Sequence, residues 1–204
     1  MPILKRIIDF VMDILETITF VGSIFIVVYL FIAQPHQIKG ISMDDTFHNG
    51  DYILTSKISY KFESPQLGDV VVFQSPNNPD IDYIKRIIGT PGDRISVQNG
   101  AVVRNGVALE EPYAKRPINV FEGGFLKNDQ EVVVPEGNYF AMGDNRPRSS
   151  DSREFGFVPF EHIIGKVFFR YFPPQATGMI NNPYKSKDHS LQSFLPSYLS
   201  LTTQ

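Results

Sequence analysis

Residues 17–37 read TITFVGSIFIVVYLFIAQPHQ, and the character of the chain changes within this stretch. Thr17 to Ala33 carry no charge, and as a helix rising about 1.5 Å per residue they would span about 26 Å. This length approaches the hydrocarbon core of a bilayer, which is about 30 Å thick. Residues 7–15 are apolar at helical spacing, and the acidic residues among and after them can lie at the membrane surface. Residues 1–35 therefore predict an amphipathic lead-in and one transmembrane helix.

The apolar stretch has two weaker interpretations, a cleaved signal peptide and a buried core helix. A signal peptide has an apolar region of about 7–15 residues before a small-residue cleavage site. This run is longer and ends in Gln34-Pro35-His36-Gln37. A core helix that is apolar on all sides needs a larger body around it. Lys5 and Arg6 precede the helix and only Lys39 follows closely, which favours a cytoplasmic N terminus, a single pass through the cell membrane and an extracytoplasmic body.

The composition excludes several classes of site. A formal charge of −3 over 204 residues gives no electrostatic reason to expect a nucleic-acid partner. The absence of cysteine removes disulfides, thiolate metal ligands and a cysteine nucleophile. The histidines lack the spacing of metal ligands; they are His36, His48, His162 and His189. We therefore expect no metal site, no cofactor and no nucleic-acid partner.

After Pro35 the sequence changes to short β-rich segments separated by turn residues. Three Asn-Gly pairs, at 49–50, 99–100 and 105–106, supply the positive φ angles of tight hairpins. This pattern predicts a mainly β fold, an antiparallel, barrel-like domain over residues 36–173. We expect an irregular insertion near 110–130, a short helix at 160–164 and a polar, loosely ordered tail over 174–204. The predicted strands are 37–41, 51–58, 69–74, 83–88, 93–98, 101–104, 131–134, 139–142 and 166–172.

Three segments of this body contain residue types with chemical potential. They read Gly40-Ile41-Ser42-Met43-Asp44-Asp45-Thr46, then Asp82-Tyr83-Ile84-Lys85-Arg86 leading to Pro91-Gly92-Asp93, and finally Gly143-Asp144-Asn145-Arg146 leading to Ser149-Ser150-Asp151-Ser152-Arg153. Taken singly, each has an ordinary explanation. A serine beside a turn usually hydrogen-bonds the backbone, and a strand lysine usually faces solvent. Aspartate and arginine in one loop often form a surface ion pair.

Together and in this order, the segments resemble the signature motifs of type I signal peptidases, a family with an N-terminal membrane anchor. The resemblance covers residues 37–172. It implies that Ser42 attacks the scissile carbonyl to form an acyl-enzyme and that Lys85 is its general base. Ser149 matches a serine that orients the lysine, and Gly40 falls where relatives have an oxyanion-hole serine or a glycine. With glycine there, the donors would be backbone N–H groups, including that of Ser42. Four residues match the family's supporting polar framework: Asp144, Arg146, Asp151 and Arg153.

This chemistry requires an unusual lysine. A serine hydroxyl is a poor nucleophile without an adjacent base, and a lysine of pKa about 10.4 is protonated near neutral pH. Lowering that pKa by about 3 units corresponds to about 4 kcal/mol against the charged form. The neighbours Tyr83, Ile84, Ile87 and Ile88 offer an apolar setting that disfavours the ammonium.

Asp45 departs from the family pattern, which usually reads Ser-Met-x-Pro-Thr. Proline would fix φ and stiffen the turn that presents the nucleophile. A carboxylate within about 6 Å of Lys85 would favour its ammonium by about 3 kcal/mol at an effective dielectric of about 20. That energy corresponds to a pKa raised by about 2 units. If the Asp45 side chain faced water instead, the only loss would be the stiffness of the nucleophile turn. The sequence leaves both alternatives open.

The expected function is a membrane-bound serine endopeptidase that removes signal peptides from exported preproteins with small residues before the cleavage site. Its partners would be those preproteins and the lipid bilayer. A rival from another class is an inactive, membrane-tethered β module that binds signal peptides or other partners, and Asp45 keeps this rival open. A soluble Ser-Lys autoprotease shares the dyad but would need a DNA-binding segment where this chain has the apolar stretch.

Overall fold

The computed structural model describes residues 2–185. The helices are α1 Pro2–Val27, which continues as a π-helical turn over Val28–Ile32, α2 Ser59–Phe62 and α3 Ser152–Phe155, with 3-10 turns at Arg146–Arg148, Phe160–His162 and Pro174–Ala176. The strands are β1 Ala33–Gln37, β2 Tyr52–Ser56, β3 Val70–Gln74, β4 Asp82–Gly89, β5 Arg94–Gln98, β6 Ala101–Arg104, β7 Val107–Ala108, β8 Val132–Val133, β9 Asn138–Met142, β10 Val158–Pro159, β11 Ile163–Phe172 and β12 Gly178–Met179.

The N-terminal lead-in and the apolar stretch form one continuous helix. The helix Ile3–Val27 contains an 18-residue window with a mean hydropathy of 2.0, so it is long and apolar enough to cross a membrane. Its large side chains are uncovered; Phe20 and Phe25, for example, are each 67% exposed. An apolar helix without protein around it cannot be a core helix, so that alternative is wrong.

The strands of the described part form two antiparallel sheets. The main sheet has the order β1-β2-β11-β3-β4-β9-β10, with β12 paired to β11, and the small sheet has the order β7-β6-β5-β8. The antiparallel β class and the N-terminal helix are therefore confirmed. Within residues 2–185, β1 and β10 end the main sheet without pairing to each other, so the sheet is not a closed barrel. One reason is that β10 has two residues, one of them Pro159, which has no N–H to donate.

The first strand lies earlier in the chain than the predicted segment 37–41. Ala33–Gln37 leaves the helix directly and pairs with β2, from Ala33 opposite Ser56 to Gln37 opposite Tyr52. Gly40 then takes a φ of 100°, which turns the chain away from the sheet. The segment after β1 is consequently a turn that carries Ser42.

The structure also differs from the sequence-based prediction elsewhere. It adds the short helices α2 and α3 and the two-residue strands β7, β10 and β12. The predicted helix at 160–164 is a single 3-10 turn, Phe160–His162. Part of the segment predicted to be loosely ordered from residue 174 onward is held by tertiary contacts. In that segment β12 pairs with β11, Asn182 Nδ2 donates to the carbonyl of Leu67 at 2.7 Å, and the Tyr184 hydroxyl donates to the carbonyl of Glu110 at 2.8 Å. The rest of the predicted tail, 186–204, lies outside the described residues.

Two buried clusters position the functional segments. One packs the residues around the Ser42 turn against β2, β3 and β11 through Ile38, Met43, Phe47, Ile53, Val70, Val72 and Val167. The other joins the two sheets and includes Tyr113 and Leu126 from the 110–130 insertion. The insertion contains no helix or strand, yet it is anchored in the core.

Candidate active site

Ser42 and Lys85 lie side by side in a cleft of about 800 Å³. Lys85 Nζ is 2.8 Å from Ser42 Oγ and donates to the carbonyl of Ile84 at 3.0 Å. When the amine is neutral, its lone pair can accept the Ser42 proton over the same distance. The two residues are 43 positions apart in the chain, and the fold brings them into hydrogen-bond contact.

Buried secondary structure fixes both side chains. Lys85 lies on β4, opposite Val71 of β3, and is only 3% exposed. The expectation that a strand lysine faces solvent is therefore wrong here, because β4 is buried from Lys85 to Gly89. Ser42 precedes a tight turn in which the N–H groups of Thr46 and Phe47 donate to the carbonyl of Met43 at 2.8 and 2.6 Å. Met43 and Phe47 are fully buried beneath this turn.

Burial lowers the pKa of Lys85 from its ordinary value to about 8. The carboxylates of Asp151 and Asp144 oppose this shift by favouring the ammonium, and the Arg153 guanidinium adds to it. Desolvation is the largest cause, as expected for an amine in an apolar strand. At pH 7 about a tenth of the molecules would carry a neutral Lys85.

Two buried ion pairs hold the polar residues around the dyad. Asp144 accepts from Arg86 Nε at 2.9 Å and from Arg86 Nη2 at 2.7 Å, and that guanidinium lies 4.0 Å from the centroid of the Tyr113 ring. Asp151 accepts from Arg153 Nε and Nη2 at 2.9 and 2.8 Å. Each carboxylate near Lys85 is thus matched by an arginine. The sequence analysis gave Arg86 no role. Its position within an apolar run could have indicated a buried arginine, which needs a carboxylate partner.

The 143–151 loop is fastened to the rest of the domain on several sides. Arg146 hydrogen-bonds both carboxylate oxygens of Glu111, a residue of the insertion. The Gly143 N–H donates to Asp151 Oδ2 at 3.0 Å. Asn145 makes two hydrogen bonds to the nucleophile segment: its N–H donates to the Ser42 carbonyl at 3.0 Å and its Nδ2 to the Ile41 carbonyl at 2.8 Å. Asn145 and Glu111 were not predicted as site residues, and only Asn145 lay within a quoted motif.

Ser149 lies against Gly143, beside the nucleophile. A β-carbon on Gly143 would be 2.2 Å from Ser149 Oγ and 2.5 Å from the carbonyl oxygen of Ser42. Ser149 Oγ is buried and makes no hydrogen bond with any described residue. The hydrogen bond to Lys85 that an orienting role requires is therefore not made in this structure. Ser149 lies at the site, and its role in orienting Lys85 stays a prediction.

The backbone N–H groups of Gly40 and Ser42 differ in whether they already donate a hydrogen bond. The Gly40 N–H donates to Asn49 Oδ1 at 2.9 Å. The Ser42 N–H makes no hydrogen bond within residues 2–185, which leaves it free for an oxygen that develops negative charge next to Ser42 Oγ.

The Asp45 side chain contacts the insertion and is shielded from open solvent, and it is not among the charged groups that shift the Lys85 pKa, an arrangement that differs from both alternatives left by the sequence. Its Oδ1 lies 3.6 Å from Arg116 Nε, its Oδ2 accepts from the Lys115 N–H at 3.4 Å, and its side chain is 7% exposed. The cation comes from the 110–130 insertion, and nothing local in the sequence links that segment to position 45.

The cleft runs away from the dyad between residues 35–42 and 80–85. His36 lies along it, with Nδ1 3.9 Å from Asp82 Oδ2. Burial lowers the pKa of His36, and the Asp82 carboxylate partly offsets that shift. In the part of the chain that the structure describes, no three His, Asp or Glu side chains converge as metal ligands.

Comparison with known proteins identifies the family. Residues 11–172 match the family described as "Signal peptidase, peptidase S26". Signal peptidase IB of Staphylococcus aureus (strain COL) is 34% identical over 190 residues, 86% of this chain and 98% of that protein. Probable signal peptidase I-1 of Synechocystis is 38% identical over 159 residues, 74% of this chain and 78% of that protein. A solved signal peptidase I from Enterococcus faecalis V583 is 40% identical, with a TM-score of 0.42, and the match covers 51% of this chain and 97% of that structure. The family match and the curated relatives confirm the resemblance of the three motifs, and the chain belongs to the signal peptidase family, peptidase S26.

Proposed function

We propose that this protein removes N-terminal signal peptides from exported preproteins with a Ser42–Lys85 dyad. The observation that supports this most strongly is the 2.8 Å contact between Ser42 Oγ and the buried Lys85 Nζ, whose pKa lies near 8. A lysine that is buried, desolvated and in contact with a serine is suited to accept its proton.

The proposed reaction has two halves. Neutral Lys85 takes the Ser42 proton while Oγ bonds to the scissile carbonyl carbon, and the Ser42 N–H donates to the oxyanion. When the C–N bond breaks, the ammonium of Lys85 returns the proton to the departing amine, leaving an acyl-enzyme. Water then attacks the ester, with Lys85 again as base, and Ser42 is regenerated.

The substrate would lie extended in the cleft. Within residues 2–185, β1 is an end strand of its sheet and pairs with β2 alone. Residues 82–85 of β4 pair with β3, whereas β9 begins its pairing at Arg86. Two backbone edges along the cleft walls therefore lack a partner among the described residues, and an extended peptide can add its hydrogen bonds to such edges. The small residues expected before the cleavage site suit a peptide held this closely.

The rival function is an inactive module that binds signal peptides without cutting them. Its motivation from the sequence was an Asp45 carboxylate close to Lys85. Because Asp45 contacts Arg116 instead, that motivation is lost. Cleavage of a preprotein, with the new N terminus identified by mass spectrometry, separates the two functions.

We expect kcat/KM for a preprotein to follow the deprotonation of Lys85. The rate should rise with pH, reach half its plateau near pH 8 and fall about tenfold per unit below about pH 7, because only neutral lysine accepts the proton. Initial rates between pH 5.5 and 9.5 test this. Enzyme held at pH 6 and assayed at pH 8.5 controls for unfolding. A midpoint near 10.5 or a flat profile would contradict the proposed base, and binding without cleavage at every pH would identify the inactive module.

For localisation, we propose a single-pass protein of the cell membrane with a cytoplasmic N terminus and an extracytoplasmic catalytic domain. The uncovered apolar helix Ile3–Val27 supports the anchor. Lys5 and Arg6 at its beginning support the orientation, because basic residues stay on the cytoplasmic side.

The cysteine-free sequence makes the orientation directly measurable. We expect Glu63→Cys, in the catalytic domain, to be labelled by a membrane-impermeant maleimide in intact cells. Leu4→Cys, in the amphipathic lead-in that precedes the uncharged run 17–33, should be labelled only after lysis. Both side chains are exposed, so access through the protein is matched. The chain should also remain with membranes in alkaline carbonate, and the opposite labelling pattern or release by carbonate would refute the proposed topology.

A further inference from the structure

One arginine of the insertion contacts both acidic side chains that follow the nucleophile. Arg116 Nη2 donates to Asp44 Oδ2 at 3.1 Å, and Arg116 Nε lies 3.6 Å from Asp45 Oδ1. The adjacent Lys115 N–H donates to Asp45 Oδ2 at 3.4 Å. The two carboxylates are neighbours in sequence and repel each other, so a shared guanidinium stabilises their common placement.

The contacted turn is held at both ends: the Asn145 N–H donates to the Ser42 carbonyl at its start, and at its end Thr46 Oγ1 donates to Asp144 Oδ2 and the Thr46 carbonyl accepts from Arg170 Nη1 at 3.0 Å. The Asp44 and Asp45 side chains between these points take no part in those contacts.

Met43 and Phe47 fix the inner face of the turn in the core. On its outer face the Asp45 N–H donates to no carbonyl in the described part of the chain. The Asp44 and Asp45 side chains contact Arg116, and Asp45 also accepts from the Lys115 N–H. The other contact of Asp44 is local, with His48 four residues later.

The insertion that carries Arg116 is itself bound to the catalytic domain by several buried contacts. Glu111 of the insertion pairs with the buried Arg146, and Tyr113 packs on Arg86, whose guanidinium holds Asp144. Further along, the Asn119 carbonyl accepts from Arg153 Nη1 at 2.6 Å. The insertion is thus locked to the same framework that surrounds Lys85.

We infer that Arg116 is a positioning residue for Ser42. It clamps the Asp44–Asp45 turn to the insertion and thereby holds the nucleophile at its distance from Lys85. A tertiary ion pair here does what a proline at position 45 would do by fixing φ. The inference rests on the proposed function and adds to it a residue outside the dyad that positions the nucleophile.

The expected effect is on the rate constant more than on stability. Arg116 and Asp44 are partly exposed, and pairs of that kind contribute little to folding. Misplacing a reacting group by about 1 Å can nevertheless reduce a rate by about 100-fold. A loosened turn changes the Ser42–Lys85 geometry without altering the cleft that binds the peptide.

The test begins with Arg116→Ala in the full-length, membrane-inserted chain. We expect kcat to fall by about 10- to 100-fold and KM to change by less than about 2-fold. The midpoint of the pH–rate profile should stay near pH 8, and Arg116→Lys should restore part of kcat. Lys127→Ala, an exposed lysine of the same insertion, is the matched control for charge and should be neutral. An unchanged kcat, or a change confined to KM, would overturn the inference.

A second comparison uses proline as a substitute for the clamp. In an Asp45→Pro background, Arg116→Ala should reduce kcat by less than about 3-fold, because the turn is already stiff. An equal loss in both backgrounds would mean that Arg116 does not act by stiffening the turn. Wild-type cleavage that disappears in Ser42→Ala tests the proposed function in the same assay. Amide hydrogen exchange over residues 42–47 is independent of cleavage: it should speed up in Arg116→Ala and not in the proline background. No increase would also overturn the inference.

Discussion

Ser42→Ala and Lys85→Ala are each expected to reduce preprotein cleavage by about 10⁴-fold or more, with little further loss in the double variant. The residues act as a unit. The Ser42 hydroxyl is a poor nucleophile without its base, and Lys85 without Ser42 has no hydroxyl to deprotonate. Initial rates of cleavage, with the cleaved bond identified by mass spectrometry, measure the effect. Comparison of the double variant with the two single variants tests whether the dyad accounts for the activity.

Loss of activity must be separated from loss of fold. Lys85 is buried, so its replacement by alanine leaves a cavity, whereas Lys85→Met retains most of the volume and should be equally inactive. Ser64→Ala and Lys61→Met make the same chemical changes at exposed positions outside the cleft and should retain activity. Cleavage at a normal rate by either single dyad variant would be incompatible with the proposed mechanism.

Gly143→Ala should reduce activity by about 100-fold or more even though it adds only one methyl group. The added β-carbon would lie 2.2 Å from Ser149 Oγ, 2.5 Å from the Ser42 carbonyl oxygen and 2.6 Å from Ser149 Cβ. These atoms belong to backbone or to a short side chain, so the 143–151 loop and the Ser42 segment must separate. A displacement of about 1 Å at the nucleophile has an effect of this size.

A glycine with open space around it provides the control for this substitution. Apart from its two chain neighbours, no described residue has an atom within 4 Å of a β-carbon added to Gly178, and the residue has no positive φ. Gly178→Ala should therefore leave both kcat and the melting temperature unchanged. For Gly143→Ala, we expect kcat to fall more than KM rises. Full activity of that variant would show that the close approach of Gly143 to Ser42 is not needed for catalysis.

The position of Asp45 shows where a family pattern stops being informative. The pattern marks the missing proline, and simple electrostatics gives two consequences, a raised lysine pKa or a flexible turn. The fold provides a third arrangement, because the insertion brings Arg116 to a carboxylate that lies about 70 residues earlier. A tertiary contact of this kind leaves no periodic or local signal in the chain.

Several features were determined by the sequence alone. The uncharged run from Thr17 to Ala33 predicts an apolar helix because its length and composition suffice. The short β-rich segments and their Asn-Gly turns predict antiparallel strands because alternation and positive φ are local properties. The order of the three motifs identified the family, and it nominated Ser42 and Lys85 for positions that the fold then placed 2.8 Å apart.

Only the tertiary structure decided the features that depend on what surrounds a residue. Whether Lys85 is solvated depends on the residues packed around it, such as Val71 of β3 opposite it, so its pKa near 8 is a property of packing. The open edge of the main sheet, the early start of β1 and the ordered residues after Pro173 depend on strand pairing across the chain. The Arg116–Asp45 contact likewise exists because folding, and not sequence proximity, brings the insertion to the nucleophile turn.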